Sequence, residues 1–437
     1  MFLTKRFYIF CIAVATLLGL GYLFPGVFIA GRLLLLSLII LTTFDLFQLY
    51  KIKKGINASR TCSERFSNGD YNAVRLIIDN NYHFSVNLTI IDEIPVIFQD
   101  RNIRFITKIN SRETKTITYQ LRPVKRGEYS FGKIRVFTST SIGLISRRYS
   151  LGIPQTVKVY PSYIMLHQYE LMAISNNLSE LGIKKIRKIG HHTEFESIKE
   201  YVKGDDYRTI NWKASARRHN LMVNVFQDER SQQIYSVIDK GRLMQSAFNG
   251  MTFLDRAINA SLVLSYVAIH RDDKAGIVTF EEKFDTFIPA SKQSGQMQNI
   301  LESLYKQQTT FGESDYSSLY IHINKYISKR SLLIIYTNFD SLVGMERQVA
   351  YLRQLARQHV VLAVFFENVE LNNFAAKKPD TTEDYFKQVV AEKFIFEKRL
   401  IVSKLKQYGI YSLLTDPENL SVNVINKYLE LKSKRII

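Results

Sequence analysis

The sequence predicts three parts in series: an N-terminal transmembrane helical hairpin, an antiparallel β-sandwich domain, and an α/β domain built on a mostly parallel sheet. Three observations carry this. Two apolar runs fill most of the first 50 residues. Short β-branched segments separated by polar turns follow from about residue 60, and near-continuous apolar strands alternate with helical patterns from Gln232 onward. At 437 residues the chain is long enough for two or three domains beside an anchor. Its 46% hydrophobic and 23% charged content argues against a mainly disordered protein.

The hairpin is assigned to residues 1–54. Phe7 to Phe24 carries no charge, Pro25 and Gly26 form a break, and a second run extends from Val27 to Tyr50. Both approach the roughly 20 residues that a spanning helix needs. Arg32 and Asp45 sit near opposite ends of the second run, where they are expected to reach the headgroups rather than stay at mid-bilayer. Lys5 and Arg6 give the first run the look of a signal peptide. No small-x-small cleavage site precedes the second run, which follows at once, so the anchor reading is preferred. Lys5 and Arg6 lie before the first run and Lys51, Lys53, Lys54 and Arg60 after the second, with no base at the turn. Positive flanks stay inside, so a two-span cell-membrane protein with both termini cytoplasmic is expected.

Residues 60–161 read as the sandwich. Val74 to Ile78, Phe84 to Ile91, Ile103 to Lys108, Thr116 to Leu121 and Lys133 to Phe137 have strand length and period-two patterning. No cluster of metal-ligating residues appears among them, and a spacer or contact module is expected. Residues 162–231 connect this part to the α/β domain, assigned to 232–435. Its predicted strands are Ile234 to Asp239, Lys274 to Phe280 with a hairpin return through Phe284 to Ile288, Ser331 to Phe339, His359 to Phe366 and Gly409 to Thr415. Helical patterns cover Leu254 to Leu262, Gln296 to Tyr305, Met345 to Gln358, Tyr385 to Tyr408 and Leu420 to Lys432. Such alternation implies a sheet covered on both faces, with ligands favoured at the carboxyl ends of its strands. The turn after the first strand, Asp239-Lys240-Gly241-Arg242-Leu243, is neither a dinucleotide fingerprint nor a P-loop.

The most distinctive segment runs from Glu194 to Glu229. It contains Glu200, Tyr201, Gly204, Asp205, Asp206, Arg208, Asn211, Trp212, Lys213 and Arg217 within the pattern YxxGDDYRxINWKASAR, and ends LMVxxFxDE. This run resembles the signature of the domain-of-unknown-function-58 (DUF58) family, membrane-linked proteins with a von Willebrand factor A-like, Rossmann-type α/β domain. Arg126 to Gly132, Ile142 to Ile145, Val159 to Pro161 and the late Tyr428 to Lys432 are similar to other segments of that family. The resemblance covers nearly the whole chain. It implies an adaptor or assembly role beside an AAA+ ATPase of the MoxR type.

Two readings of the signature stay open. Asp205 and Asp206 could accept the guanidinium forks of Arg208 and Arg217 with Trp212 packed over the cluster, an internal network. Alternatively the same arginine and tryptophan could form an exposed face for a partner. A metal at Asp205 and Asp206 lacks further ligands nearby, and His191 and His192 are assigned no role.

The resemblance also implies where a metal-ion-dependent adhesion site would lie, and this sequence departs from it. Asp239 remains, but Gly241 and Leu243 offer no side-chain oxygen, Asn338 stands where an acid is expected, and Asp340 follows two residues later. Lys240 and Arg242 add positive charge there. The site is read as degenerate, with Asp239 held by Lys240, by Arg242 or by a backbone turn, and no cofactor is expected.

The function predicted is therefore a non-enzymatic scaffold. The leading alternative is a metal-dependent hydrolase or nuclease using Asp205, Asp206 and Asp239. A second is nucleic-acid binding, suggested by the net charge of +19 and by Lys184, Lys185, Arg187 and Lys188, although no recognition helix or aromatic-basic strand pattern accompanies them. A charge of that size equally suits nearness to anionic lipid. The two cysteines, Cys11 and Cys62, give no sign of a disulfide framework.

Overall fold

The computed structural model describes residues 1–98, 103–164, 166, 194–202, 205, 207–227 and 231–437, with the backbone alone for 194–197 and 225–227. The chain divides into two compact units, Met1–Tyr160 and Pro161–Ile437.

In the first unit, a short strand β1 (Phe2–Leu3) leads into α1 (Lys5–Leu20) and α2 (Pro25–Tyr50). The break falls at Gly21 to Phe24 and not at Pro25, which begins α2 because its missing N–H costs nothing in a first turn. Gly31 lets the helices meet closely: a Cβ there would stand 2.9 Å from Leu18 Cδ2. Of the described helices only α2, with 26 residues, is long and apolar enough to cross a membrane. The 16 residues of α1 rise about 24 Å, less than a hydrocarbon core of about 30 Å.

The rest of the unit is a set of largely antiparallel sheets. Its strands are β2 (Ile56–Cys62), β3 (Arg65–Ser67), β4 (Asn72–Asn80), β5 (Val86–Asp92), β6 (Arg104–Ile109), β7 (Thr114–Leu121), β8 (Gly127–Phe131), β9 (Ile134–Ser139), β10 (Ile145–Leu151) and β11 (Gln155–Tyr160). They pair as β1-β10-β9-β5-β6, β2-β4-β7 and β3-β11-β8, with the β3–β11 pairing parallel. Alternation explains the core: in β4, Val74, Leu76 and Ile78 point inward and are fully buried. An ion pair between Arg60 on β2 and Asp92 on β5 is buried there, and the Tyr119 hydroxyl donates to the same carboxylate.

Asp45 does not snorkel. It is fully buried, accepting from Thr140 Oγ1 and from the backbone N–H groups of Leu144 at 3.0 Å and Ile145 at 2.9 Å. Close by, Arg147 donates to the carbonyls of Leu49, Ile52 at 2.7 Å and Lys53 at 2.8 Å, satisfying one carbonyl in the last turn of α2 and two just beyond it. At the same end of the pair, β1 adds to the edge of β10, and Thr4 Oγ1 donates to Gly143 O at 2.6 Å.

The second unit begins with the hairpin β12 (Glu194–Glu200) and β13 (Met222–Gln227), which encloses α3 (Trp212–Arg218). The α/β part follows as β14 (Gln233–Asp239), β15 (Ala247–Phe248), β16 (Met251–Thr252), α4 (Phe253–His270), β17 (Lys274–Phe280), β18 (Phe284–Ser291), α5 (Gln296–Tyr305) and α6 (Tyr316–Tyr326). It continues with β19 (Leu332–Tyr336), α7 (Leu342–Gln358), β20 (Val360–Phe366), α8 (Val369–Ala375), α9 (Thr382–Gln407), β21 (Tyr411–Thr415) and α10 (Leu420–Ser433). The six-stranded sheet runs β18-β17-β14-β19-β20-β21, mixed because β18 alone is antiparallel to its neighbour.

One face of this sheet packs with α4, α5 and α10, the other with α6, α7 and α9, so β14, β19 and β20 are apolar throughout. The closing helix has a specific tie. Tyr428 and Lys432 both donate to buried Asp273, whose other oxygen accepts from Gln232 N at 3.0 Å. β14 lies between β17 and β19, so the chain reverses direction across the sheet at the carboxyl end of β14.

Candidate functional site

Asp239 stands at that reversal point as the last residue of β14, and it is buried. Its Oδ1 accepts from Gly241 N at 2.8 Å and from Ser314 Oγ, and its Oδ2 accepts from Thr337 Oγ1 at 2.7 Å. The Tyr316 hydroxyl lies 2.7 Å from Thr337 Oγ1 and 3.4 Å from Oδ2. A phenol has one proton, so the short contact takes it, and the relay runs from Tyr316 to Thr337 to Asp239. Burial pushes the Asp239 carboxyl above its usual range, against the pull of Ser314, Thr337, Gly241 and Tyr316. Gly241 is needed on steric grounds, since a Cβ there would fall 1.9 Å from Ser314 Oγ.

Neither neighbouring base holds Asp239, contrary to two of the three expectations from sequence. Lys240 is buried and donates to Asp285 Oδ2 at 2.6 Å and to Gln308 O at 3.0 Å, while Arg242 is exposed. The backbone turn holds the carboxylate, joined by the hydroxyls of Ser314 and Thr337. The loop Gly312 to Asp315 carries Ser314. That loop is fixed in turn by Glu281, which accepts from Thr310 Oγ1 at 2.8 Å and Gly312 N at 2.6 Å.

Asn338 and Asp340 face elsewhere. They line a cavity of about 380 Å³ at the carboxyl ends of β19, β20 and β21, and Asp239 is not among its walls. Asn338 Oδ1 accepts from Lys398 Nζ at 2.8 Å, and the same ammonium donates to Phe339 O. Burial pushes the Lys398 ammonium down to about 8, opposed by the charge of Asp340. In sequence Lys398 looks like any surface lysine of an amphipathic helix, so nothing marked it. Among the described residues no group of three or more His, Cys, Asp or Glu gathers as a metal would require.

The signature segment divides into structural and outward-facing residues. Asn211 caps α3, its Oδ1 accepting from Ala214 N at 3.0 Å and its Nδ2 donating to Asn224 Oδ1 at 2.8 Å. Ser215 Oγ donates to Asn211 O at 2.8 Å and accepts from Met222 N at 2.9 Å, tying the helix to β13. Asp205 closes a turn: Oδ2 accepts from Val202 N at 3.0 Å and Oδ1 from Lys199 Nζ at 2.9 Å. Those bonds, the backbone one foremost, hold its carboxyl below the usual range. Glu200 accepts from Asn220 Nδ2 at 3.3 Å, and half-buried Tyr201 donates its N–H to Leu221 O at 2.8 Å.

The lid that an internal network would need is not formed. Trp212 is 70% exposed and Tyr207 69%, with the Arg208 guanidinium 5.7 Å from the Tyr207 ring centre. Lys213 and Arg217 are exposed as well. Gly204 and Asp206 lie outside the described residues, as do His191, His192, Lys184, Lys185, Arg187 and Lys188.

Residues 197–370 match the family model "Protein of unknown function DUF58". A relative from Bacillus subtilis (strain 168), the uncharacterized protein YeaD, is 30% identical over 154 residues, 35% of this chain. The match spans 37% of that relative's length. Among solved structures, the conserved hypothetical protein BatB from Bacteroides thetaiotaomicron is 14% identical with a TM-score of 0.31, covering 47% of this chain and 99% of that one. The CARDB domain of a Pyrococcus furiosus protein is 10% identical with a TM-score of 0.18, covering 24% of this chain and 86% of that one. Both structural likenesses are too slight to assign a fold. The matched segment runs from the signature hairpin through β14, β17, β19 and β20 to the first turn of α8, and over that segment the chain is similar to the DUF58 family.

Proposed function

We propose that this protein is a non-enzymatic, membrane-tethered scaffold that presents a von Willebrand factor A-like domain to a cytoplasmic AAA+ ATPase of the MoxR type. The observation that carries the reading is the outward display of Trp212, Tyr207, Lys213 and Arg217 on a small hairpin whose own fold uses other residues, Asn211, Ser215 and Asp205. Tryptophan and arginine are the side chains that most often dominate protein interfaces. The ATPase comes from the family resemblance. The von Willebrand-like reading is supported by the strand order third-second-first-fourth-fifth-sixth, with an antiparallel third strand and helices on both faces.

The tether rests on α2, and a two-span arrangement is supported by the way α1 returns along it. The pairing of Phe2–Leu3 with β10 then requires the first residues and the sandwich to lie on one side of the bilayer. The positive flanks of the anchor make that side the cytoplasm. A reporter fused after residue 150 that reads as external would overturn this orientation.

At Asp239, protein hydroxyls and one N–H occupy the carboxylate, an arrangement suited to a domain that binds through its surface. The test is crosslinking in intact cells followed by mass spectrometry, with Trp212→Ala and Arg217→Ala beside the parent. Capture of an AAA+ ATPase that weakens in both variants is expected. Unchanged capture in both variants removes the hairpin from the interface. Repeated failure to capture any ATPase removes the partner.

A further inference from the structure

We propose that the cavity of about 380 Å³ at the carboxyl ends of β19, β20 and β21 is a binding site for a small monocarboxylate with an apolar body, its carboxylate received by Lys398. The volume falls in the range of small-molecule sites, about 300–1,000 Å³. Its inner wall is aromatic: Phe253 and Phe366 stack with ring centres 4.3 Å apart, and Phe248, Phe394 and Leu414 complete the apolar lining. A wall of that kind takes an apolar body, and on the side of Asn338 the Lys398 ammonium is the polar group that would orient it.

The charge at that side is unbalanced in an informative way. Lys398 Nζ is part-buried and spends two of its three donors on neutral acceptors, Asn338 Oδ1 and Phe339 O. No described carboxylate comes within ion-pair distance of it. Asp340 acts on it from farther away and does not offset the cost of burial, which is why the ammonium sits at about 8. A carboxylate delivered to the third N–H supplies the missing counter-charge in a partly dehydrated place, where it is worth more than at the surface.

The rest of the lining limits that charge. Asp340, Glu367 and Glu370 also border the cavity, so a phosphate ester with two negative charges would meet three acids, whereas one negative charge on Lys398 is tolerated. Arg399 stands at the same border and favours the same sign.

The full-length chain in nanodiscs is titrated with 3-(4-fluorophenyl)propionate and, separately, with its neutral amide, binding being read from the fluorine resonance. At pH 7 the acid is expected to bind at least about tenfold more tightly than the amide. Lys398→Met should erase that preference and leave amide affinity within about twofold. Affinity for the acid should also fall as the pH is raised through about 8 toward 9.5. Equal binding of acid and amide by the parent overturns the proposal, as does a preference that survives Lys398→Met or binding of neither probe at about millimolar concentration. The comparison of acid with amide on the parent holds even if Lys398→Met proves unstable.

Discussion

The signature hairpin and the Asp239 cluster handle their polar groups in opposite ways. At Asp239 a buried carboxylate is enclosed by one N–H and by hydroxyls from two other segments, Ser314 and Thr337. In the hairpin, Asp205 is held locally by Lys199 and Val202, and the large side chains point outward. One place uses chemistry to fix its own fold. The other uses a minimum of it to fix a small frame and leaves the remainder available. A residue type that suggests function in a sequence is therefore informative only once its partners are known.

This contrast is broken most directly at Asp239. Asp239→Ala leaves Ser314, Thr337 and Gly241 N without their acceptor inside the domain, and should cost about 1–3 kcal/mol in chemical denaturation. A loss below about 1 kcal/mol would mean that water replaces the carboxylate readily and that the cluster is an open site.

The two aspartates also give opposite pH signatures. The folded pKa of Asp239 lies above 3.8, so its contribution to stability is fully present below pH 3.8 and is lost as pH rises through the folded value. The folded pKa of Asp205 lies below 3.8, so its contribution is present above pH 3.8 and is lost as pH falls through the folded value. Difference curves of stability against pH for Asp239→Asn and Asp205→Asn, each relative to the parent, should slope in opposite directions, the second weakly because Asp205 is solvated. Parallel slopes would refute the distinction.

Asn211→Ala tests the frame of the hairpin. Loss of the cap on a helix of seven residues should lower stability by about 1 kcal/mol. That loss should be confined to the hairpin, visible as faster amide exchange there and unchanged exchange in β14 and β19.

Long apolar patterns were legible in the sequence, and their bounds show it. Lys274–Phe280 and Gln296–Tyr305 occur as the patterning predicts, because each buries its apolar residues in the sheet core. The strand after Ser331 is shorter than expected, ending at Tyr336, since Thr337 to Phe339 serve the Asp239 relay, the Lys398 contact and the core. What was not legible depends on partners far away in the chain. Asp45 meets residues 95 to 100 positions later, and Ser314 meets Asp239 across 75. The short helix α3 was missed because seven residues are too few to show a period. The choice between the two readings of the signature was not legible for a related reason: composition records which charges are near in sequence and says nothing of which way Trp212, 70% exposed, turns.

Trp212 gives the smallest stability effect and the sharpest separation of the two regions. Its side chain is 70% exposed, so truncation removes little buried area, and Trp212→Ala should change unfolding stability by no more than about 0.5 kcal/mol. The same change at an interface centre typically costs about 2 kcal/mol or more of binding, a loss of about thirtyfold in affinity. Partner capture by the Trp212→Ala protein should therefore collapse while its melting curve overlays that of the parent. Asp239→Ala should show the reverse balance: a large drop in stability, with capture recovering toward the parent when both are compared at a temperature where the variant is folded. A Trp212→Ala protein that melts several degrees lower would put the indole back inside the fold, and the surface offered to a partner would have to be sought on another face of the α/β domain.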